Sequence, residues 1–495
     1  MVIDSSRDSN DEGSVSTLHP TEPRGAQKTI LCFGILNDKK IPFFDELSSK
    51  LRRFGYALKW IDERPIPGYI RKVRDKLSFE VLTSSEELPR YRRNVEGRAS
   101  TAAQIQSFPT LYHQAALLQA EHDQLSVREA FEELLAYRRY IDDVVKATAP
   151  SLVLPWHQFR GRHYHVADVA RRQNIPCLFT EFGLLPGTIS FDADGQMGES
   201  RVAERSACFR GLPIYTQDRK NAEAMIDRIR RCRLHRRTHD NAEEDVSVVV
   251  ERARKNGQKI IFYAGQNDTY AGLIPRGCMR QKRHSPLYVD SIDALKHLAV
   301  LASKNNWHVV FKPHPIAVQR GVIRRESIPH SNHVSIIESG DFVTCIEAAD
   351  VCTTILSQSA YMFMIYEKAT VLLGCMQLKG KGCVWEPEKR NDVEGMLQKA
   401  FRDGFTPEAR SNFVQHVAQL CRYHLYAMPT NEVESQVMDL LRGRDASSVA
   451  KRIVRFIEWQ DQTQGFPFEP DERIQSMSQV RGALKNDCTM HKVTA

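Results

Sequence analysis

The sequence predicts an α/β protein built from two Rossmann-like, doubly wound domains that face each other across a cleft. Three observations predict it. A chain of 495 residues is too long for one ordinary hydrophobic core. Two separate stretches each alternate short apolar runs with segments of helical periodicity. In both stretches a glycine follows directly on the first apolar run, the turn that opens a βαβ unit.

In the first series, Lys28–Gly34 is a strand ending in glycine, Phe43–Leu51 has helical apolar spacing, and Tyr56–Asp62 is a second strand. Residues from about 113 to 147 carry a long helical period. Ser151–Trp156 is a strand, Val166–Gln173 a helix and Ile175–Glu181 a further strand. The stretch Thr188–Phe191 is expected to form a hairpin turning at Asp194-Gly195. The second series opens with Lys259–Gly265, followed by a helix over Ser291–Asn305 and a strand over Trp307–Lys312. Further strands are predicted at Val334–Ile337, Val351–Ile355 and Thr370–Leu373.

This pattern divides the chain into a polar leader (1–27), an N-terminal domain (28–216) and a charged helical connection (217–257). A C-terminal domain (258–445), a helix expected to pack back on the first domain (446–464) and a loose tail (465–495) complete it. The leader is acidic and poor in large apolar residues, and it lacks the basic start and apolar core of a secretory signal. No apolar stretch approaches the roughly 20 residues that cross a bilayer. The eleven cysteines have no framework spacing, so reduced thiols in a cytoplasmic setting are expected. Charged residues make up 26% and the formal net charge is +8, which suits anionic ligands or an anionic membrane face. No nucleic-acid-binding signature accompanies that charge, so nucleic acid is not an expected partner.

The sharpest chemical signal is Lys312-Pro313-His314-Pro315, directly after an apolar strand. Two prolines remove backbone donors and fix the turn, aiming Lys312 and His314 out of the strand end. A cation and an imidazole there can neutralise a nucleotide phosphate as it leaves. The plain alternative is a strand exit with a solvated lysine. The second signal is Gly265-Gln266-Asn267-Asp268-Thr269, where glycine permits close backbone approach and Gln266 and Asp268 can hydrogen-bond a sugar or phosphate. Polar loops follow many strands, so this run gains weight from its position. The third is Ser357-Gln358-Ser359, whose hydroxyls either bind phosphate or cap the following helix. Each of the three terminates a strand of the second series.

In the first half, Thr180-Glu181-Phe182-Gly183 ends a strand, and Glu181 is either a cleft carboxylate acting as base or nucleophile or a structural glutamate. The triplet Asp192-Ala193-Asp194 fits a metal-binding pattern, yet Asp194-Gly195 is more simply a turn, and no metal is expected. Cys232, His235 and His239 have zinc-like helical spacing. The surrounding arginines Arg228, Arg230, Arg231, Arg233, Arg236 and Arg237 oppose a cation. That basic stretch is either a solvated face or a docking surface for anionic lipid of the inner leaflet.

At these motifs the chain resembles the bacterial capsule polysaccharide biosynthesis and export family, whose characterised members are β-Kdo glycosyltransferases using CMP-Kdo. The resemblance is carried by Phe262–Thr269, by Phe311–Pro315, by Thr353–Gly374 and by Ile175–Gly183. It implies a GT-B glycosyltransferase of capsular or surface polysaccharide synthesis. The implied partners are a nucleotide sugar, a glycolipid or polysaccharide acceptor and the inner membrane surface. It implies no cofactor beyond the sugar nucleotide as substrate. Its site residues map onto Glu181 and His314 as catalytic groups and onto Gly265, Gln266, Asp268, Lys312, His314, Ser357 and Ser359 for the nucleotide sugar. Two departures stand out: Phe182 occupies the position of the family's second acidic residue, and Met362 that of its ribose-binding glutamate. A CDP-polyol or UDP-sugar donor, or a non-catalytic export scaffold, are the alternatives these departures leave open.

Overall fold

The computed structural model describes residues 27–63, 68–93, 126–159, 161–234, 246–274, 276–319, 323, 327–329, 331–441 and 443–460. The first sheet contains β1 (Lys28–Phe33), β2 (Tyr56–Asp62), β3 (Glu80–Thr83) and β4 (Leu152–Pro155), all parallel, in the order β3-β2-β1-β4. A parallel bridge from Val153 to Cys177 extends it by one more crossing. Strands β5 (Phe179–Phe182) and β6 (Thr188–Asp192) follow. The second sheet holds β7 (Lys259–Ala264), β8 (Trp307–Lys312), β9 (Val334–Ile336), β10 (Val351–Thr354) and β11 (Ala369–Leu372), parallel throughout, in the order β11-β10-β7-β8-β9. A last strand, β12 (Leu425–Ala427), lies near the end of the described chain.

Counted from its own first strand, each parallel sheet runs third, second, first, fourth, the doubly wound order. The chain is therefore α/β with two Rossmann-like domains. Strands of sheets covered on both faces are near-continuous apolar runs, and β4, β8 and β10 are buried along their whole length. The intervening helices have ordinary end signals. In the helix Ser291–Asn305, Asp290 caps the first turn by accepting from Asp293 N at 2.7 Å, and Asn306 closes the last at φ 53°.

Three sequence expectations change. The strand expected over 175–181 is split: residues 176–178 bond to Val153 of the first sheet, whereas β5 leaves it to pair antiparallel with β6. The hairpin therefore turns at 183–187, not at Asp194-Gly195. Asp194 N and Gly195 N instead fold back onto the Asp192 carboxylate at 2.9 and 3.2 Å. The boundary of the first core also moves. Leu184, Leu185, Val202, Phe209 and Leu212 belong to the core around the second sheet while Ile189 and Phe191 stay in the first, so the chain passes between the two cores within residues 183–212. Hydrophobic periodicity predicts that such residues are buried, but not against which sheet.

The helix Thr216–Arg231 buries Ala222, Met225, Ile226 and Ile229 in that same second core. Its basic end is held within the molecule. Arg228 donates to Gln436 O at 2.8 Å, and Arg230 pairs with Asp227 and Glu367. Arg233 pairs with Glu347 at 3.0 Å and Asp341 at 3.1 Å. His235, His239, Arg236 and Arg237 lie outside the described residues. Among the described residues, no helix is long and apolar enough to cross a membrane, and no group of three or more His, Cys, Asp or Glu could hold a metal ion.

The helix Ala446–Gln460 packs on the first domain. Val449, Ala450, Ile453 and Phe456 are buried with Phe43, Phe44, Leu47 and Leu51 of the helix Ile41–Arg52. Each fully buried side chain of this size contributes roughly 1.5–3 kcal/mol. Truncating Ile453, 1% exposed, leaves a cavity as well as losing transfer energy. Ile453→Ala is expected to lower unfolding stability by about 2–4 kcal/mol in chemical denaturation.

Candidate functional site

Doubly wound sheets bind ligands outside the carboxyl ends of their strands, where the winding reverses. In the second sheet the reversal lies between β7 and β10, and a cleft of about 510 Å³ opens there. Its C-terminal wall is built from the residues following β7, β8 and β10. From the first domain, Asn37 and Lys39, just beyond β1, reach the same cleft.

Gly265 ends β7 and lines the cleft. A Cβ at this position would stand 3.1 Å from the Phe311 ring, 3.2 Å from Lys312 O and 3.2 Å from Pro313 Cα. A side chain here would crowd the Lys-Pro-His-Pro turn, and Gly265 N donates to Lys312 O at 2.9 Å. Gln266 is buried at the winding reversal. Its Oε1 accepts from Leu356 N at 3.0 Å, tying the loop after β7 to the loop after β10, and it too lines the cleft.

Asp268 does not line the cleft. Its carboxylate accepts from Ser291 Oγ at 2.6 Å and Ser291 N at 3.1 Å, anchoring the start of the helix Ser291–Asn305. Burial pushes its pKa up to about 6, against the opposing pull of the Ser291 hydrogen bonds. Lys312 lines the cleft, yet its Nζ donates to Gly340 O at 2.6 Å and Glu338 O at 3.2 Å. Its charge thus holds the 338–340 loop against the end of β8, where a solvated or phosphate-directed ammonium had been expected.

His314 lies in the cleft, half-buried, and its Nδ1 accepts from Ile316 N at 3.2 Å. In the neutral ring that bond assigns the proton to Nε2. Ser357 and Ser359 line the cleft too. Ser357 Oγ donates to Ser359 Oγ at 2.9 Å and accepts from Ser359 N at 3.2 Å, so the hydroxyls also start the helix Ser359–Ile365.

Glu181 is 6% exposed and lies outside the cleft lining. Side chains alternate along β5, and it is Phe182 that faces the cleft, edge-on to Trp156 at 5.0 Å. Glu181 faces the interior near Tyr361, where burial first, then Cys383 and Glu181, push the phenol pKa well up. The carboxyl-end rule misplaces this residue because it holds for parallel strands and β5 is antiparallel. Gly183 follows for steric reasons: a Cβ there would stand 2.8 Å from Thr188 Cβ and 2.9 Å from Leu425 Cδ2. Asp192 and Asp194 are likewise committed, the first also to Arg201 N at 2.9 Å and the second to the Arg201 guanidinium.

Glu434 was not legible from sequence. It stands in the short helix Glu432–Met438 and lines the cleft, the one carboxylate among the described lining residues. The run Pro429-Thr430-Asn431 announces a helix start and nothing more. Tyr270 was also missed. It lines the cleft and stands edge-on to His157, 5.2 Å away, at the end of β4.

No protein-family model matches the chain, and no curated protein matches it. Among solved structures it is similar to KpsC of Thermosulfurimonas dismutans. The β-Kdo 2,7-transferase is 16% identical, over 61% of this chain and 89% of that one, with a TM-score of 0.37. The β-Kdo 2,4-transferase is 14% identical, over 59% and 87%, with a TM-score of 0.40. A UDP co-structure of MnaA from S. aureus is 11% identical over 90% of this chain and all of that one, with a TM-score of 0.37. The fold assignment rests on the strand order of the chain's own two sheets.

Asp268 gives a pH-dependent test. Its folded pKa of about 6 is above the ordinary 3.8, so the ionised form opposes folding at neutral pH and that opposition disappears as pH falls. Relative to Asp268→Asn, the wild-type protein is expected to gain up to about 3 kcal/mol of stability between pH 7 and pH 4. Urea titrations of both proteins across that range check the sign.

Proposed function

We propose that this chain is a sugar-nucleotide-dependent glycosyltransferase of GT-B architecture. In this reading the second domain holds the nucleotide and the first presents the acceptor. The observation that supports it most is the convergence of Gly265–Asn267, His314 and Ser357–Ser359, from three strand ends, on one cleft. Backbone amides, hydroxyls and an imidazole N–H are the donors that a phosphate group requires. Asn37 and Lys39 from the opposite domain put a polar edge where an acceptor would enter.

The donor class follows from the sequence resemblance: Kdo or a related sugar activated by CMP, transferred to a glycolipid or polysaccharide acceptor. Those substrates place the enzyme at the cytoplasmic face of the inner membrane. His314 then donates its Nε2 proton toward the leaving phosphate, and the loop amides stabilise its charge. The presence of Phe182 in the cleft, where the resemblance implies a carboxylate, favours a second reading as a nucleotide-binding scaffold that transfers nothing.

A nucleotide panel separates these readings by thermal shift, because a ligand stabilises only the state that binds it. Cytidine nucleotides are expected to raise the melting temperature more than uridine or adenosine ones. His314→Ala should weaken cytidine binding by about 1.5–3 kcal/mol, roughly ten- to a hundredfold. No stabilisation by any nucleotide contradicts the proposal, and unchanged affinity in folded His314→Ala removes that residue from the site.

A further inference from the structure

The cleft contains donors from three strand ends, but the residues expected to supply its carboxylate do not. Glu181 is turned inward and Phe182 cannot accept a proton. Glu434 is the one acidic side chain among the described residues lining the cleft. It arrives there by a route that the doubly wound pattern does not describe. Strand β12 pairs antiparallel with β6, Leu425 opposite Ser190 and Ala427 opposite Thr188. The chain then turns through Met428 and Thr430, both cleft residues, into the helix that carries Glu434.

Its carboxylate is fixed asymmetrically. Oε2 accepts from Thr430 N and from Thr430 Oγ1, both at 2.8 Å, whereas neither bond uses Oε1. The helix itself is seated by Asn431, whose side chain accepts from Glu434 N at 2.9 Å. Gly187, with φ 71°, lets it stand close against the turn before β6. A Cβ at Gly187 would lie 3.1 Å from Glu434 Cβ. The carboxylate is thus oriented by its neighbours, in a cleft whose lining also includes Met428, Phe182 and Leu184. A helix-capping glutamate needs only the Thr430 contacts. Capping does not require the residue to line a ligand-sized cleft, as Glu434 does while 6% exposed.

We propose that Glu434 is the catalytic base of the cleft. This role rests on the glycosyltransferase reading above. In a direct displacement, Glu434 takes the proton of the acceptor hydroxyl as that oxygen forms a bond to the anomeric carbon of the donor sugar. The bond from the anomeric carbon to the phosphate oxygen breaks, and the nucleotide leaves with the electron pair. The carboxylate ends protonated, the phosphate carries the charge, and its proton returns to solvent after product release.

The test uses the full chain with a panel of CMP-, CDP- and UDP-sugars and a glycolipid acceptor. It reads nucleotide release, nucleotide affinity and thermal stability together. Glu434→Gln keeps an oxygen to accept from Thr430, so folding and nucleotide affinity should stay within about twofold, while turnover falls at least roughly a hundredfold. In Glu434→Ala, added formate should restore turnover in proportion to its concentration, which a merely structural residue would not permit. Turnover of Glu434→Gln within about threefold of wild type overturns the assignment and leaves the transferase reading standing. So does a loss of nucleotide affinity equal to the loss of turnover, which would make Glu434 a binding group. Wild-type protein that binds nucleotide but transfers no sugar from the panel overturns the catalytic role. Wild-type protein that binds no nucleotide overturns the proposed function itself.

Discussion

The pairing of Leu425–Ala427 with Thr188–Ser190 is the constraint on which the candidate site depends. Two parallel sheets alone would give two separate crevices. The small antiparallel sheet β12-β6-β5 ties the chain after the second domain to the segment where the chain leaves the first. It sets Phe182, Thr188, Met428 and Glu434 among the lining of the same cleft as the strand ends of the second sheet. The helix Ala446–Gln460 continues from this junction onto the first domain and adds Ile453 and Phe456 to its core. Leu184, Leu185, Val202, Phe209 and Leu212 enter the second core in exchange, while Ile189 and Phe191 stay in the first. Each half of the chain therefore contributes to the core of the domain begun by the other.

Within the cleft, buried polar groups divide between holding the walls and facing the space between them. Lys312 and Asp268 hold walls, the first through the carbonyls of Glu338 and Gly340, the second through Ser291. Gln266 does so across the winding reversal through Leu356 N. These are costs a fold accepts only when each buried group is partnered. His314, Ser357 and Ser359 make local bonds within their own turns and line the cleft.

Much of this was legible in the sequence, for identifiable reasons. The helix Ser291–Asn305 and the strand Trp307–Lys312 have the predicted ends because Asp290, Asn306 and Pro313 are unambiguous local signals. The glycine of Gly265 and the loops after β7, β8 and β10 could be placed because parallel strands put their carboxyl ends on one edge. Glu181 could not be placed by that rule, since β5 abandons the parallel sheet after Leu178. Nor could the partner of β6, because a three-residue strand such as Leu425–Ala427 carries no periodicity of its own. Glu434 depends on that pairing, so the carboxylate of the cleft was hidden with it. Where function depends on contacts between segments distant in sequence, local pattern identifies the parts but not their assembly.

Hydrogen exchange with and without a cytidine nucleotide tests most directly whether the three strand ends form one ligand site. Peptides covering 265–271, 312–318 and 355–361 should gain protection together in the presence of nucleotide. The second cavity, lined by Phe43, Ala427, Leu441 and Arg444, should not change. Protection confined to one of the three segments, or concentrated at that second cavity, would contradict a nucleotide site at the winding reversal.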